Sequence, residues 1–513
     1  MVQVLIMKYR RFISAFLLIS ATPSWADNAI ETAEFWLQNG QLAIADSEQL
    51  KPQKGSAKNV ILFVGDGMGI STITAARILE GQAQANNRGG EEHSLSFEKL
   101  PYLALSKTYS VNQQTSDSAP TMTAIISGVK TNDGELSVSS AVNRKEKNAD
   151  IVKAQQVKTI IEQAEEHGLS TGIISTARIT HATPAACYAH TSERDWESDA
   201  QIPADATVTD IAKQLINFSY GNGLEVALGG GRSMFLPSTT PDPEDAGKFG
   251  NRKDGQDLTQ QWLANYPQAA YVYDRAGFDA IDPKQTDHLL GLFERSHMEY
   301  EHDRPSDTAG EPSLTEMTAK AIDLLAKNKK GYVLVIEAGR IDQAHHAGNA
   351  FRALTDTIEL SNAVRQAQQK TNPKDTLLIV TADHSHTFTI AGYPQRGNPI
   401  LGLVKEVGKT TPAIDKNGQH YTTLSYANGP GYRGATDHHD LNDGDSLNPD
   451  FLQEASVPLE SETHAAEDVA IFASGPKAHL FHGIQEQSYI YQVMAKALNF
   501  KVGYWWNSPY SSW

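Results

Sequence analysis

The sequence predicts an α/β protein built around a mainly parallel β-sheet. Short apolar runs rich in β-branched residues recur along the chain, and stretches of helical periodicity lie between them, including residues 157–166, 314–327 and 351–369. This alternation is typical of strands joined by crossover helices. In addition, three of the runs are followed within three residues by an acid, and ligands gather beyond the carboxyl ends of parallel strands. The clearest strand-like runs are residues 59–64, 170–175, 332–336, 376–380 and 468–472.

The first 26 residues have the order of a secretory signal peptide. A basic stretch that ends at Arg11 precedes an apolar run over residues 12–20, and small residues follow at Ser24 and Ala26. The apolar run is shorter than the ~20 residues that a membrane-spanning helix needs. We therefore expect cleavage after Ala26, no membrane partner, and a mature chain of residues 27–513 that is periplasmic or secreted.

The composition argues against some classes of partner. The formal net charge is −17 at pH 7, and it becomes −20 once the three basic residues of the presumed signal are removed. A surface this acidic repels nucleic acid, so we expect no nucleic acid partner, although a bound metal ion could still attract phosphate locally. The single cysteine, Cys187, excludes a disulfide within the chain, and its apolar context predicts a buried, unreactive thiol.

The segment TSDSAPTM, residues 115–122, predicts the start of a helix. Asp117 or Ser118 can cap the first free amides, and Pro120 fits the first turn. A helix start also attracts anions, so a serine there is suited to be a nucleophile that meets a phosphate. Taken alone, the segment is more simply explained as an ordinary helix cap, and the rest of the chain has to decide.

Acids and histidines cluster at the ends of the predicted strands. Asp342 and His346 are four residues apart, so on a helical turn they share one face and can bind one cation. A single histidine of this kind is usually structural, but the whole set indicates a metal centre. Mixed Asp and His ligands suit zinc, and two zinc ions near a serine indicate phosphoryl transfer. The set comprises Asp66, Glu337, Asp342, His346, Asp383, His384, His386 and His464.

Two stretches of unusual composition are predicted to be insertions in one large domain. The first is a metal-binding surface insertion at about residues 237–311, whose beginning is rich in Pro, Gly and charged residues. The second lies at about residues 393–448 and is rich in Gly, Thr and Asn. No internal repeat accompanies them.

The motifs are similar to those of alkaline phosphatases, and they resemble the animal enzymes more closely than the standard enteric bacterial enzyme. The similarity covers nearly all of the mature chain and includes the segments NVILFVGDGMG, TSDSAPTMTAIISG, VIEAGRIDQAHHAG, VTADHSHTFTIAGYPQRG and ETHAAEDVAIFASGP. It implies a three-layer sandwich with a crown-like insertion at about residues 393–448, and a homodimer. It also implies hydrolysis of small-molecule phosphate monoesters at alkaline pH.

The resemblance implies roles at the matching positions. Ser118 would be the nucleophile and form a phosphoserine, while Arg194 would bind two phosphate oxygens as a bidentate fork. His386 would orient Asp342 from outside the metal coordination shell. Two zinc ions would be held, the first by Asp342, His346 and His464 and the second by Asp66, Asp383 and His384.

The resemblance also implies a third metal site, occupied by magnesium in the family, which would use Asp66, Thr183 and Glu337. His181 stands beside it where the enteric enzyme has Asp. Gln343 stands where that enzyme has Lys and the animal enzymes have His. Because imidazole suits magnesium less well than a carboxylate does, we expect this site to bind magnesium weakly or to take another ion. Without the Lys, we also expect phosphate to be held less tightly.

A fourth site, for calcium, is implied by Glu244, the carbonyl of Phe293, Glu294 and Glu311, since oxygen-only ligands suit calcium. Glu311 is Asp in the animal enzymes, so its reach differs. An ordinary solvated acidic surface is the alternative interpretation of these residues.

Two other functions are compatible with parts of the pattern. A phosphodiesterase of the same superfamily would share the two zinc sites, although it typically uses Thr as its nucleophile. A non-catalytic periplasmic protein that binds phosphate or metal would keep the ligands but would have no need for Ser118.

Overall fold

The computed structural model describes residues 31–84, 89–434 and 439–501. The predicted signal peptide lies outside these residues. The chain divides into two units, residues 1–50 and residues 51–513. The described part of the first unit holds helix α1 (Ala33–Gln49), which begins with the Thr32 side chain accepting a hydrogen bond from the Phe35 amide. Among the described residues, no helix is long and apolar enough to cross a membrane.

The second unit alternates strands and helices, as the sequence predicts. Its helices are α2 (Ile70–Gln84), α3 (Ser118–Ser127), α4 (Ala149–Ala154), α5 (Ile160–Glu166), α6 (Ala182–Ala185), α7 (Ile211–Ile216), α8 (Leu258–Asn265), α9 (Arg275–Ala280), α10 (Leu314–Leu325), α11 (Arg340–His346), α12 (Ala350–Lys370), α13 (Asp443–Ser446) and α14 (Tyr489–Ala497). Its strands are β1 (Asn59–Gly65), β2 (Tyr102–Lys107), β3 (Ser170–Arg178), β4 (Val226–Gly230), β5 (Ala269–Val272), β6 (His288–Leu292), β7 (Tyr332–Ala338), β8 (Thr376–Ala382), β9 (Ser385–His386), β10 (Phe388–Ile390), β11 (Leu424–Gly429), β12 (Ala455–Pro458), β13 (His464–Ala465), β14 (Val469–Ser474) and β15 (Ile484–Glu486).

Ten of these strands form one central sheet, in the order β15-β2-β14-β8-β1-β7-β3-β4-β6-β5. The strands from β8 to β5 are parallel to one another, and β14 runs antiparallel to β8 and β2. Every residue of β1, β7 and β8 is buried, because helices cover both faces of the sheet there. The predicted α/β class with a mainly parallel sheet is confirmed.

The two faces of the sheet pack into two separate cores. Along β1, Val60, Leu62 and Val64 point into a core shared with α3, α5 and α14. Ile61 and Phe63 point the other way, into a core shared with α2, α10 and α12. This alternation is the period-2 pattern of a strand buried on both sides, and it produces the predicted three-layer sandwich.

The structure shows what the two stretches predicted to be insertions contain. The stretch at about residues 237–311 was predicted as a surface insertion, but it contains β5 and β6, which extend the central sheet. The reason is that β6 is fully buried, with Leu289, Leu290 and Leu292 in the core, whereas loops make up the beginning and the end of the stretch. The described part of the stretch at about residues 393–448 contains β11 and α13 and otherwise consists of turns and isolated bridges.

Candidate active site

Three acids meet at the carboxyl end of the central sheet. Asp66 follows β1 directly, Glu337 is the next-to-last residue of β7, and Asp383 follows β8 directly. Since β8, β1 and β7 are neighbours and parallel, the three side chains come together at one edge, as the sequence predicts. All three are buried. Three carboxylates so close together in a buried position need positive charge to offset their repulsion.

Ser118 is the first residue of α3 and lies against this edge. Its Oγ is 3.4 Å from Asp66 Oδ1 and 3.2 Å from His384 Nε2. The predicted helix is present, but the expected capping by Asp117 is not, because that side chain makes no hydrogen bond to the helix amides. The Asp117 carboxylate instead pairs with Arg194. This pair holds the Arg194 guanidinium at the residue that precedes Ser118.

The Asp117 and Arg194 pair is charged over the whole physiological range. Burial opposes ionisation of Asp117, but the adjacent Arg194 guanidinium outweighs it and holds the pKa of the carboxyl well below its usual range. Arg194 Nη2 also lies 3.0 Å from His181 Nε2. The guanidinium is therefore fixed on two sides, by Asp117 and by His181.

Four side chains form what we call the first donor group: Asp342, His346, His386 and His464. One possible ligand atom of each lies within 4.8 Å of those of the other three. His464 Nε2 is 3.0 Å from His346 Nε2 and 3.2 Å from Asp342 Oδ1. Two ring nitrogens and a carboxylate that converge in this way could hold a metal ion. The fourth member, His386, touches Asp342 Oδ1 at 2.8 Å and holds it in place.

The second donor group consists of Asp66, Asp383 and His384, all fully buried. His384 Nε2 is 3.4 Å from Asp66 Oδ1 and 3.3 Å from Asp383 Oδ2. Burial and then the charge of Asp383 raise the pKa of Asp66 well above its ordinary value. Burial and the neighbouring His464 lower the pKa of His384, so its ring is neutral and free to act as a ligand.

The third donor group consists of Asp66, His181 and Glu337. Burial raises the pKa of Glu337 to about 7, and burial together with Arg194 lowers the pKa of His181 to about 3. Gln343 stays outside this group, because its amide lies between Arg340 and His297, with Nε2 2.9 Å from His297 Nδ1. Sequence reasoning missed His297, since its contact with position 343 joins residues 46 positions apart.

The donor groups fit metal ions. Several of their buried atoms have no hydrogen-bond partner within the described part of the chain, and leaving a buried polar atom unpaired costs roughly 1–3 kcal/mol. A cation bound by the third donor group would supply a partner for the unpaired carboxylate oxygens of Asp66 and Glu337. The unpaired atoms of the groups are Asp66 Oδ2, His181 Nδ1, Glu337 Oε1 and His384 Nδ1, and Thr183 Oγ1, predicted for the third site, is also buried without a partner among the described residues.

Comparison with known proteins identifies the family. The family model for alkaline phosphatase matches residues 57–500. The chain belongs to the alkaline phosphatase family. It is 46% identical over 475 residues to the alkaline phosphatase, tissue-nonspecific isozyme, of Gallus gallus, covering 90% of this chain and 89% of that one. It is 43% identical over 500 residues to the same isozyme of Mus musculus, covering 94% and 93%.

Solved structures of bacterial alkaline phosphatases share the fold. The enzyme from the Antarctic bacterium TAB5 matches with a TM-score of 0.58 at 22% identity, covering 88% of this chain and 100% of that one. The enzyme from Thermus thermophilus matches with a TM-score of 0.61 at 23% identity, covering 88% and 94%. By its family the chain is a phosphoric monoester hydrolase of a metal-dependent family, and Ser118 and the donor groups lie at the carboxyl edge of its sheet.

A separate acidic group lies in the region where the family resemblance implies calcium. It comprises Glu244, Glu294 and Asp307, of which Asp307 was missed by sequence reasoning. Burial and neighbouring carboxylates raise the pKa of Glu294 to about 8. The Phe293 carbonyl and the Glu244 carboxylate both accept hydrogen bonds from the buried Arg232, at 3.1 and 2.8 Å.

Glu311 lies beside this acidic group without joining it. Its Oε1 accepts from the Glu299 amide at 3.0 Å, and its Oε2 is buried and lacks a partner among the described residues. Burial, and then the charges of Glu294 and Asp307, raise its pKa to about 9. A fourth carboxylate therefore borders the group, and its part in binding a cation stays a prediction.

Proposed function

We propose that this alkaline phosphatase family member hydrolyses small-molecule phosphate monoesters at alkaline pH through a phosphoserine intermediate on Ser118. The observation that carries the proposal is the position of Ser118 Oγ, 3.4 Å from Asp66 and 3.2 Å from His384, beside the fixed Arg194 guanidinium. A nucleophile, a metal-binding donor set and an oxyanion-binding side chain thus meet at one point.

The chemistry of each donor set suggests its metal. We propose zinc for the first and second donor groups because they combine imidazole with carboxylate, magnesium or another ion for the third, and calcium for the acidic group. Bound zinc would lower the pKa of the serine hydroxyl and of a water molecule, and would neutralise charge that develops on the phosphate oxygens.

The residues of the chain carry out two displacements. In the first, Ser118 Oγ forms a bond to phosphorus, the bond between phosphorus and the leaving oxygen breaks, and the serine proton is passed on to that oxygen. Arg194 holds two of the phosphate oxygens during this exchange, so that the attack is in line. In the second, a water molecule attacks phosphorus, the bond to Oγ breaks, and a water proton returns to Ser118 as phosphate is released.

We also propose a cellular location, an oligomeric state and a substrate class for the enzyme. The basic, apolar and small-residue order of the first 26 residues supports export to the periplasm or the medium, with cleavage after Ala26. A homodimer is proposed from the family resemblance. The physiological substrate is proposed only as a class, phosphate monoesters.

The mature protein should be assayed with a nitrophenyl phosphate monoester and with the corresponding bis-ester at alkaline pH. We expect strong preference for the monoester, loss of activity on zinc chelation, and recovery when zinc is added back. A preference for the bis-ester would instead support the phosphodiesterase, and phosphate binding with no turnover of either ester would support the binding protein.

The variant Ser118→Ala completes this test. It should lose turnover by several orders of magnitude while its zinc content stays that of the wild type, because the hydroxyl is the nucleophile and not an essential ligand. Ser127→Ala, at the other end of α3, is the matched control and should keep its turnover. Retained activity in Ser118→Ala would rule out the phosphoserine mechanism.

A further inference from the structure

We infer that Glu462 is a positioning residue that holds the ligands of the first donor group in the geometry they need to bind a metal. Glu462 is 1% exposed and lies two residues before His464. It connects to Asp342, His346 and His464 by three different routes: its side chain, its main chain and its position next to a short strand. The inference rests on the proposed zinc occupancy of the first donor group.

The side chain of Glu462 acts on Asp342 through His386. Glu462 Oε2 is 2.5 Å from His386 Nδ1, and His386 Nε2 is 2.8 Å from Asp342 Oδ1. Glu462 Oε1 accepts from both the amide and the hydroxyl of Thr387, at 2.7 and 2.6 Å. The carboxylate is therefore fixed by three donors, so it sets the orientation of the His386 ring, and the ring in turn orients the Asp342 oxygen.

The main chain of Glu462 acts on His346. Its carbonyl oxygen is 2.6 Å from His346 Nδ1, and its amide donates to the His346 carbonyl at 2.9 Å. A hydrogen bond on Nδ1 fixes the ring and leaves Nε2 as the atom that faces His464. Thus the main chain of the same residue orients a second ligand.

The third ligand, His464, is the first residue of β13 and lies two residues after Glu462. In β13, His464 pairs across an antiparallel ladder with His386 in β9. The Glu462 side chain joins the same two segments, because it bonds to His386 and Thr387 on the β9 side. Glu462 accordingly ties the segment that carries His464 to the segment that positions Asp342.

The test is a zinc titration of the metal-free protein, read by competition with a chromophoric chelator and not by activity. Glu462→Gln keeps the size and the main-chain contacts but removes the charge. We expect one of the two zinc ions to bind roughly 10–100-fold more weakly, as is usual when a ligand loses its supporting partner. Binding of the other ion, at Asp66, Asp383 and His384, should keep the wild-type affinity.

Three further variants make the result specific. Glu460→Gln removes an exposed carboxylate two residues away and should bind both ions as the wild type does. Thr387→Val removes one donor to Glu462 and should weaken the same site by a smaller factor, which provides a second test if Glu462→Gln folds poorly. His386→Asn combined with Glu462→Gln should bind zinc no more weakly than the weaker single variant, because both act through one chain of contacts.

Unchanged zinc affinity at both sites in Glu462→Gln would overturn the inference, and so would an equal loss at both, which would indicate a general structural defect. A different result would contradict the proposed function. A wild-type protein that binds two zinc ions but hydrolyses no phosphate ester would contradict that function, while the positioning by Glu462 would still be decided by the titration.

Discussion

Asp117 directly precedes helix α3, and the partner of its carboxylate affects the end of the helix that carries Ser118. An aspartate at a helix start usually accepts hydrogen bonds from the first-turn amides. Here the carboxylate pairs with Arg194 instead and makes no capping hydrogen bond to the amides at the start of α3. Free amides, a guanidinium and metal-binding donors can then converge on the same anion.

Arg194→Ala should therefore weaken phosphate binding without changing the metal content. Hydrogen bonds to charged groups contribute about 1.5–3 kcal/mol, so we expect the inhibition constant of inorganic phosphate to rise roughly 10–100-fold and kcat/KM to fall similarly. Steady-state kinetics with phosphate as competitor, and elemental analysis of bound zinc, measure the two effects. Arg365→Ala on α12 is the control, and an unchanged inhibition constant in Arg194→Ala would exclude this role.

At the scale of elements, the turn between β1 and α2 brings the backbone close to the metal ligands. Gly67 has a φ of +67°, and a Cβ at this position would lie 2.3 Å from His386 Nε2. Its amide donates to Asp383 Oδ1 at 3.1 Å. The turn can approach both donor groups only because residue 67 has no side chain and tolerates a left-handed conformation.

Gly67→Ala should thus displace His386 and disturb the site more than the fold. We expect zinc affinity and kcat/KM to fall at least roughly tenfold, because His386 supports the Asp342 ligand. Zinc titration and steady-state kinetics, with circular dichroism as a check on folding, provide the measurement. Gly55→Ala, where an added methyl group meets nothing within 4 Å, should behave as the wild type. Equal behaviour of the two variants would contradict the close-approach argument.

At the scale of the whole molecule, buried carboxylates are also found away from the catalytic edge. Glu165 and Glu225 lie side by side near the beginnings of β3 and β4. Thr171 donates a hydrogen bond to each of them, from its hydroxyl to Glu165 Oε1 at 2.6 Å and from its amide to Glu225 Oε2 at 2.7 Å. Burial and then the charge of Glu225 raise the pKa of Glu165 to about 9. The pair therefore retains a proton in the folded protein at neutral pH.

This retained proton makes the stability of the protein depend on pH. The unfolded chain releases the proton near pH 4.3, whereas the folded chain holds it to about pH 9. Between these values the folded state binds more protons, so the free energy of unfolding falls as the pH rises. Glu165→Gln, which needs no proton, should match the wild type near pH 5 and exceed its free energy of unfolding at pH 9 by on the order of 1–3 kcal/mol.

Denaturant unfolding of the metal-loaded proteins at pH 5, 7 and 9 measures this difference. Glu166→Gln is the matched control, since Glu166 is the exposed neighbour of Glu165 and should show no such trend. A constant difference between Glu165→Gln and wild type at all three pH values would mean that the pair does not hold its proton.

The sequence by itself determined the α/β class, the main strands, the helix that begins at Ser118, and the placement of Asp66, Glu337 and Asp383 at one edge. These features follow from local periodicity, and from the rule that neighbouring parallel strands end at the same side of a sheet. The clustered acids and histidines indicated a metal centre, and the family motifs assigned them to individual sites. Each of these conclusions depends on residues close together in the chain or on strand order.

Only the tertiary structure decided which side chains support that site. Asp117 meets Arg194 across 77 positions, Glu462 meets His386 across 76, and Gln343 meets His297 across 46. The central sheet also includes β5 and β6, which lie within the surface insertion predicted at about residues 237–311. No local pattern encodes such pairs, because a supporting hydrogen bond depends on how distant segments pack, and packing satisfies buried polar groups with whichever partner lies within reach.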